Sequence, residues 1–176
     1  MSRIATIEID GKKFELPIIK GTENELAIDI KKLRLLTGGI TTIDSGFKNT
    51  GSTKSAITFL DGEKGILLYR GIPIDQLAEK STFIETAYLL IYGILPNSQQ
   101  LTDFNHHITH HSMVHESIKR FYDGFPINSH PMAVCSAVVG SLATFYQNEL
   151  SVRDDQEVEI AIHRLIAKLP TIAAYS

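Results

Sequence analysis

Two short apolar runs, Ala56 to Leu60 and Ile66 to Tyr69, are separated by Asp61-Gly62-Glu63-Lys64-Gly65, and a helix signal follows at once in Pro73-Ile74-Asp75-Gln76-Leu77. The runs are rich in the β-branched, aromatic and leucine side chains that suit a pleated surface, and the glycines supply the positive φ angles a tight connection needs. The segment therefore reads as a β-hairpin that runs through a Gly-containing turn into a helix. Pro73 falls where a first helical turn tolerates a missing N–H. From Ile72 onward the apolar period changes from two to about three and a half. A chain with this switch folds as small antiparallel β units followed by packed helices, a mainly α architecture.

The first twenty residues predict another hairpin. Ile4, Thr6, Glu8 and Asp10 alternate with Ala5, Ile7 and Ile9, and Gly11-Lys12 turns the chain into Phe14, Leu16 and Ile18. Pro17 suits an edge strand or a strand end and places the unit at a sheet margin. A short helix is expected around Ile28 to Leu36, closed by Gly38-Gly39, and Asp44-Ser45-Gly46 reads as a turn. These signals divide the chain into a β-rich region, residues 1–53, and a hairpin with the first helices of a larger domain, residues 54–176.

The helical part reads as a succession of short elements: Ile74 to Glu79, Thr82 to Tyr92 stopped by Gly93, and about Gln99 to His110 after Pro96-Asn97-Ser98. Ser112 is the expected cap of the next helix, which carries Met113, Ile118, Phe121 and Tyr122. Ser129 or His130 caps the helix that Pro131 opens. In that helix Ala133, Ala137 and Ser141 form a ridge of small side chains, and Val134, Val138, Leu142 and Phe145 occupy the other faces, so it should run through the domain centre. A last helix begins near Asp154-Asp155 with the stripe Val158, Ile162, Leu165 and Leu169, and Pro170 should break or restart it.

Charge and cysteine content exclude several function classes. The net charge is -3, and Lys and Arg are spread along the chain without the basic stripe of a nucleic-acid binder. Cys135 is the single cysteine, so neither an intramolecular disulfide nor a Cys-based metal cage can form, and a reducing compartment fits. Met1-Ser2-Arg3 leads into alternating strand-like residues instead of a secretory apolar stretch, which predicts a cytoplasmic protein without membrane attachment. Pro131 to Tyr146 is apolar but too short for a bilayer span.

Five histidines, His106, His107, His110, His111 and His115, make three pairs at a four-residue spacing, each on one helical face. A zinc site needs a third protein ligand and an outer shell that no Cys or His-Glu-x-x-His pattern supplies, so no metal is expected. The cluster should titrate near neutrality and could act as a charge sensor. Ser129 and His130 are adjacent, with side chains pointing apart, and assemble no nucleophile. No Gly-rich phosphate loop is present.

The hairpin-to-helix segment Ser55 to Leu77, read with Ser129-His130-Pro131-Met132 and with Lys168-Leu169-Pro170-Thr171, resembles the amino-terminal part of citrate synthases, specifically the longer bacterial class with an N-terminal β-rich region. The resemblance covers nearly the whole chain and implies the first helices of the large domain of that fold, incomplete at 176 residues because the fold is more than twice as long. The closing run Thr171 to Ser176 carries no helix stop signal, which agrees with a truncated domain. The implied reaction joins acetyl-CoA and oxaloacetate without metal or bound redox cofactor. Its catalytic histidines and aspartate lie beyond Ser176 in the family, so no catalytic residue is assigned here and the piece alone should be inactive. The alternatives are part of a 2-methylcitrate synthase, or a non-enzymatic nucleotide-sensing or assembly module.

The same resemblance implies an allosteric NADH site. Arg164 and Lys168 stand four residues apart, two cations suited to a diphosphate, with Tyr146 from the preceding helix and His110, His111, Ser112 and Met113 completing the pocket. His110 stands where regulated relatives carry an arginine, and a neutral imidazole offers a phosphate less than a permanent cation. Without the resemblance, Arg164 and Lys168 read as an exposed cationic face. Family members are dimers or hexamers, so homo-oligomerisation is expected as well.

Overall fold

The computed structural model describes residues 3–147 and 151–176. Its chain forms two compact units, residues 1–55 and 56–176.

In the first unit β1 (Ile4–Ile9) and β2 (Lys12–Lys20) pair antiparallel, with Ile4 opposite Pro17 and Ile9 opposite Lys12. Asp10 and Gly11 both take positive φ, 51° and 75°, the geometry that matches a two-residue turn to the strand twist. Strand β3 (Leu26–Ile28) adds to the other side of β2, so β2 is central and the expected edge position of Pro17 is corrected. The proline is tolerated because the Pro17 carbonyl accepts from Asp29 N–H, which places its missing donor at the very end of the β3 ladder. The short helix α1 spans Leu33–Thr37, later than Ile28 to Leu36, because Ile28 is taken up by β3; Gly38 closes it with φ 74°. Among the described residues of this unit, Leu16 and Leu33 are the buried apolar side chains. Asp44 holds the expected turn, accepting from Asn49 N–H at 2.8 Å and from Thr50 Oγ1 at 2.6 Å, and these bonds lower its carboxyl pKa.

The second unit opens with the hairpin of β4 (Thr58–Asp61) and β5 (Ile66–Tyr69), joined by a turn in which Asp61 accepts from Lys64 N–H and Gly65 has φ 66°. A further strand, β6 (Ile72–Pro73), pairs back on β5 through Arg70-Gly71, both at positive φ, and leads into α2 (Ile74–Lys80). Arg70 pins the hairpin to the next helix: its Nη2 donates to the Leu90 carbonyl at 2.7 Å. That helix, α3 (Phe83–Tyr92), starts in a reciprocal capping box of Thr82 and Glu85 and ends at Gly93 in the left-handed region. An Asn97–Gln100 box likewise starts α4 (Ser98–His110).

After α4 the chain departs from expectation. Ser112 caps nothing; its Oγ donates back to the Thr109 carbonyl at 2.8 Å, and His115 caps a 3-10 turn (Glu116–Ile118) that continues into α5 (Lys119–Asp123). His115 therefore leaves the α4 face that the four-residue spacing gave it. His130 caps α6 (Pro131–Ser141), with Pro131 in the first turn. Val134, Val138 and Leu142 bury against Ile118 and Ile172, whereas Ala133, Ser136, Ala137 and Gly140 are exposed. Ala133 and Ala137 of the small-residue ridge thus lie on the open side of α6, while Val134 and Val138 enter the core. A helix apolar all round does not choose its own inner face, and here Ile118 and Ile172 choose it.

Asp154 caps α7 (Asp155–Tyr175), accepting from Gln156 and Glu157 N–H. The helix continues through Pro170, against the expected break. Its buried residues are His163, Ala167, Lys168 and Ile172, and Leu165 and Leu169 remain exposed, so the inward face is rotated from the apolar stripe read in the sequence. The cause is chemical: the inward polar groups find partners, described next. Among the described residues no helix is long and apolar enough to cross a membrane.

Candidate functional site

The C-terminal end of α4, the turn His111–Met113, Tyr146 and the middle of α7 come together. Arg164 places its guanidinium carbon 4.2 Å from the centroid of the Tyr146 ring, a cation held on the ring's negative face. One turn further on, Lys168 is only 3% exposed, with its ammonium 5.9 Å from the same centroid. Burial of that charge is tolerated because Nζ donates to the His111 carbonyl at 2.7 Å and to the Met113 carbonyl. Thr171 adds a third tie, its Oγ1 donating to the Ser112 carbonyl at 3.0 Å. Lys168 is therefore no part of an exposed cationic face. It is the post around which the turn is wound.

The other expected residues divide between this cluster and the surface. The His111 ring is partly buried, and its pKa is pushed down by burial first and then by the charges of Arg164 and Lys168. Ser112 contributes its carbonyl, while its hydroxyl is engaged within α4. The Met113 side chain is 74% exposed. His110 turns away, its Nδ1 hydrogen-bonded to the His106 carbonyl at 2.9 Å and its ring 3.8 Å from the His106 ring. The arrangement presents a guanidinium on an aromatic face beside a buried ammonium, chemistry suited to a phosphate next to a flat ring once the ammonium is uncovered. No group of three or more His, Cys, Asp and Glu able to hold a metal occurs among the described residues.

A polar group that sequence reasoning passed over lies next to this cluster. His163, one residue before Arg164, is 5% exposed, with its Nε2 3.3 Å from the Tyr92 hydroxyl of α3. The Tyr92 O–H donates in turn to Glu159 at 3.0 Å, and burial together with that carboxylate raises the phenol pKa to about 12. The rings of His107 and His163 stack at 5.2 Å, only 8° from parallel, and Phe104 meets His163 edge-on at 5.3 Å. His107 was legible as part of the histidine run. His163 was not, because a lone histidine among apolar helix residues gives no signal of what it faces.

A helical scaffold begun by a hairpin, with a cationic and aromatic corner on its last helix, defines a class that comparison with known proteins makes specific. Residues 46–176 match the model of the family described as citrate synthase, C-terminal domain, and the chain belongs to the citrate synthase family. It is 54% identical over 172 residues to citrate synthase 1 of Mycobacterium tuberculosis, an alignment covering 98% of this chain and 40% of that protein. The crystal structure of citrate synthase from Thermotoga maritima superposes with a TM-score of 0.61 at 34% identity, over 76% of this chain and 34% of that one. For citrate synthase from Pyrobaculum aerophilum the TM-score is 0.66 at 26% identity, over 98% and 40%. The chain thus spans about 40% of the length of the curated relatives it matches.

Proposed function

We propose that this chain is the amino-terminal part of a citrate synthase, an acyltransferase that condenses acetyl-CoA with oxaloacetate and water to give citrate and CoA in the tricarboxylic acid cycle. The family match over residues 46–176 carries the reading, and the 54% identity to citrate synthase 1 supports it. The reaction needs a base for the weakly acidic proton beside the thioester, and donors for the enolate and the ketone. In the family this work belongs to two histidines and an aspartate, with arginines on the oxaloacetate carboxylates, in the part of the relatives that this chain does not span. The residues of this chain form scaffold for that work. Thiol release from acetyl-CoA in the presence of oxaloacetate tests the reading: activity is expected of the native polypeptide that carries this sequence and none of the 176-residue chain alone. A native polypeptide without the activity would overturn it.

The corner formed by Tyr146, Arg164, Lys168 and the turn His110–Met113 we infer to be an allosteric site for NADH, with a phosphate on Arg164 and the adenine against Tyr146 or the exposed Met113. The guanidinium seated 4.2 Å above the Tyr146 ring supports this reading most directly. Equilibrium titration of NADH against the native polypeptide and its Arg164→Ala variant decides it; binding absent, or untouched by the substitution, removes the proposal. We also infer a cytoplasmic homo-oligomer, dimer or hexamer, which the exposed Leu165 and Leu169 on α7 support.

A further inference from the structure

Lys168 is engaged by two backbone carbonyls and nearly inaccessible, so an anion can reach it only after the turn His111–Met113 lets go. The residues that hold that turn in place include an unusual pair. The His111 N–H bonds to the His107 carbonyl at 3.2 Å, and His107 stacks on buried His163, so the turn hangs from the end of α4 that this stack fastens to α7. The single proton of the Tyr92 hydroxyl goes to Glu159, so its oxygen accepts from His163 Nε2–H. Neutral His163 is thereby fixed as the Nε2–H tautomer. A further proton would place a charge among aromatic rings and parallel to a second imidazole. Among the described residues, Tyr92 from α3, His107 from α4, His111 beyond α4 and Glu159 on α7 are the ionisable groups that face it. Burial lowers the His163 pKa first and His107 lowers it further, with only Glu159 opposing.

We propose that the His107–His163 stack is an acid-released latch: a proton taken up by the pair parts α4 from α7, loosens the turn His111–Met113 and uncovers Lys168 to an anion. Only the naming of that anion as a dinucleotide rests on the effector reading above; the latch does not. Release also charges His111, so the uncovered corner gains cations as it opens.

Competitive acylation of lysines in the native polypeptide, with exposed Lys80 as internal reference, reads the latch directly. Between about pH 7.5 and about pH 5.5, either side of the usual histidine range, the labelling of Lys168 relative to Lys80 should rise several-fold. Amide exchange at residues 111–113, corrected for its intrinsic pH dependence, should rise with it. In His163→Phe, which keeps a ring and removes the titration, neither should change. The second variant, Glu159→Gln at an exposed position, removes the charge that favours protonated His163 and should move release to lower pH. Labelling and exchange that are the same at both pH values, or a Glu159→Gln shift in the other direction, would overturn the latch whatever NADH does. NADH binding that strengthens on acidification in the wild type alone supports both proposals. An opening latch without NADH binding supports the latch and sinks the effector reading.

Discussion

Toward its C-terminal end α7 meets α6 through Ile172, Val138 and Leu142, a contact of close-packed aliphatic groups that offers water nothing. Toward its middle the same helix meets α3 and α4 through His163, Tyr92 and His107, and winds the turn after α4 around Lys168. Ile172 and His163 are both buried, yet different physics holds the seam around each. The first depends on shape and area and is indifferent to pH; the second depends on directed hydrogen bonds whose partners carry protons that can leave or arrive. A seam of aliphatic contacts and a seam of titratable groups therefore coexist on one helix.

The comparison breaks most forcefully at the rigid seam. Ile172 has no exposed surface and sits among Ile118, Val134, Val138 and Leu142. Ile172→Ala should cost about 2–5 kcal/mol, the transfer term of the lost methyl groups plus the cavity left behind. Urea denaturation at two pH values measures it, and the loss should be the same at both. A loss that varied with pH would mean that the two seams are not separate.

Next in size is Lys168→Met, which keeps the length of the side chain and removes its donors. The carbonyls of His111 and Met113 then lose a buried partner, a penalty of about 1–3 kcal/mol by comparison with other unsatisfied groups. The same denaturation measurement reads it, and amide exchange should rise at residues 111–113 while the Val138–Ile172 contact stays protected. Loss of protection across the whole helical unit would show that Lys168 is a core post and not a local one.

The two seams were unequally legible in the sequence. Glycine stops, the Pro96-Asn97-Ser98 restart, the acidic start at Asp154-Asp155 and the period change at Ile72 are local signals, so α2, α3, α4 and the start of α7 could be read nearly residue by residue. Which face of α6 or α7 turns inward is not local information. The stripe Val158, Ile162, Leu165 and Leu169 is more apolar than the buried set His163, Ala167, Lys168 and Ile172, and an argument from hydrophobicity alone selects the wrong face. What reverses it is the supply of partners from elsewhere: two carbonyls at the end of α4 for Lys168, and a phenol from α3 for His163. The candidate site was legible as a set of residue types through its family resemblance. That Lys168 would be occupied by the protein's own backbone was not.

Thr82→Ala separates the polar seam from the helix that carries it. Thr82 caps α3 at the end opposite Tyr92, its hydroxyl accepting from Glu85 N–H at 3.3 Å while the Glu85 carboxylate accepts from Thr82 N–H at 2.7 Å. Loss of such a cap costs about 1 kcal/mol. The far end of α3 is held independently by Gly93 and by the Arg70 bond to Leu90, so the titration of His163 should not move. Histidine NMR on the variant checks this, and a displaced His163 titration would show that the cap reaches the seam.

The smallest effect near neutrality, and the sharpest test of the contrast, is the pH window of the polar seam. The folded-state pKa of His163 lies below its ordinary value, so on acidification the unfolded chain binds a proton before the folded one does. The contribution of His163 is therefore complete above about pH 6.5 and is lost as pH falls toward its depressed folded value. At the other limb the Tyr92 phenol is raised to about 12 in the fold, whereas an unfolded tyrosine ionises near 10. The unfolded chain then releases its proton first, and stability falls as pH climbs from the ordinary value to the raised one. Tyr92→Phe should remove the alkaline limb and, by taking away the acceptor that fixes His163 Nε2–H, extend the acid limb to lower pH while its onset stays in place. Denaturation midpoints across the range measure both limbs, and an acid limb that Tyr92→Phe does not extend would place its origin outside this seam.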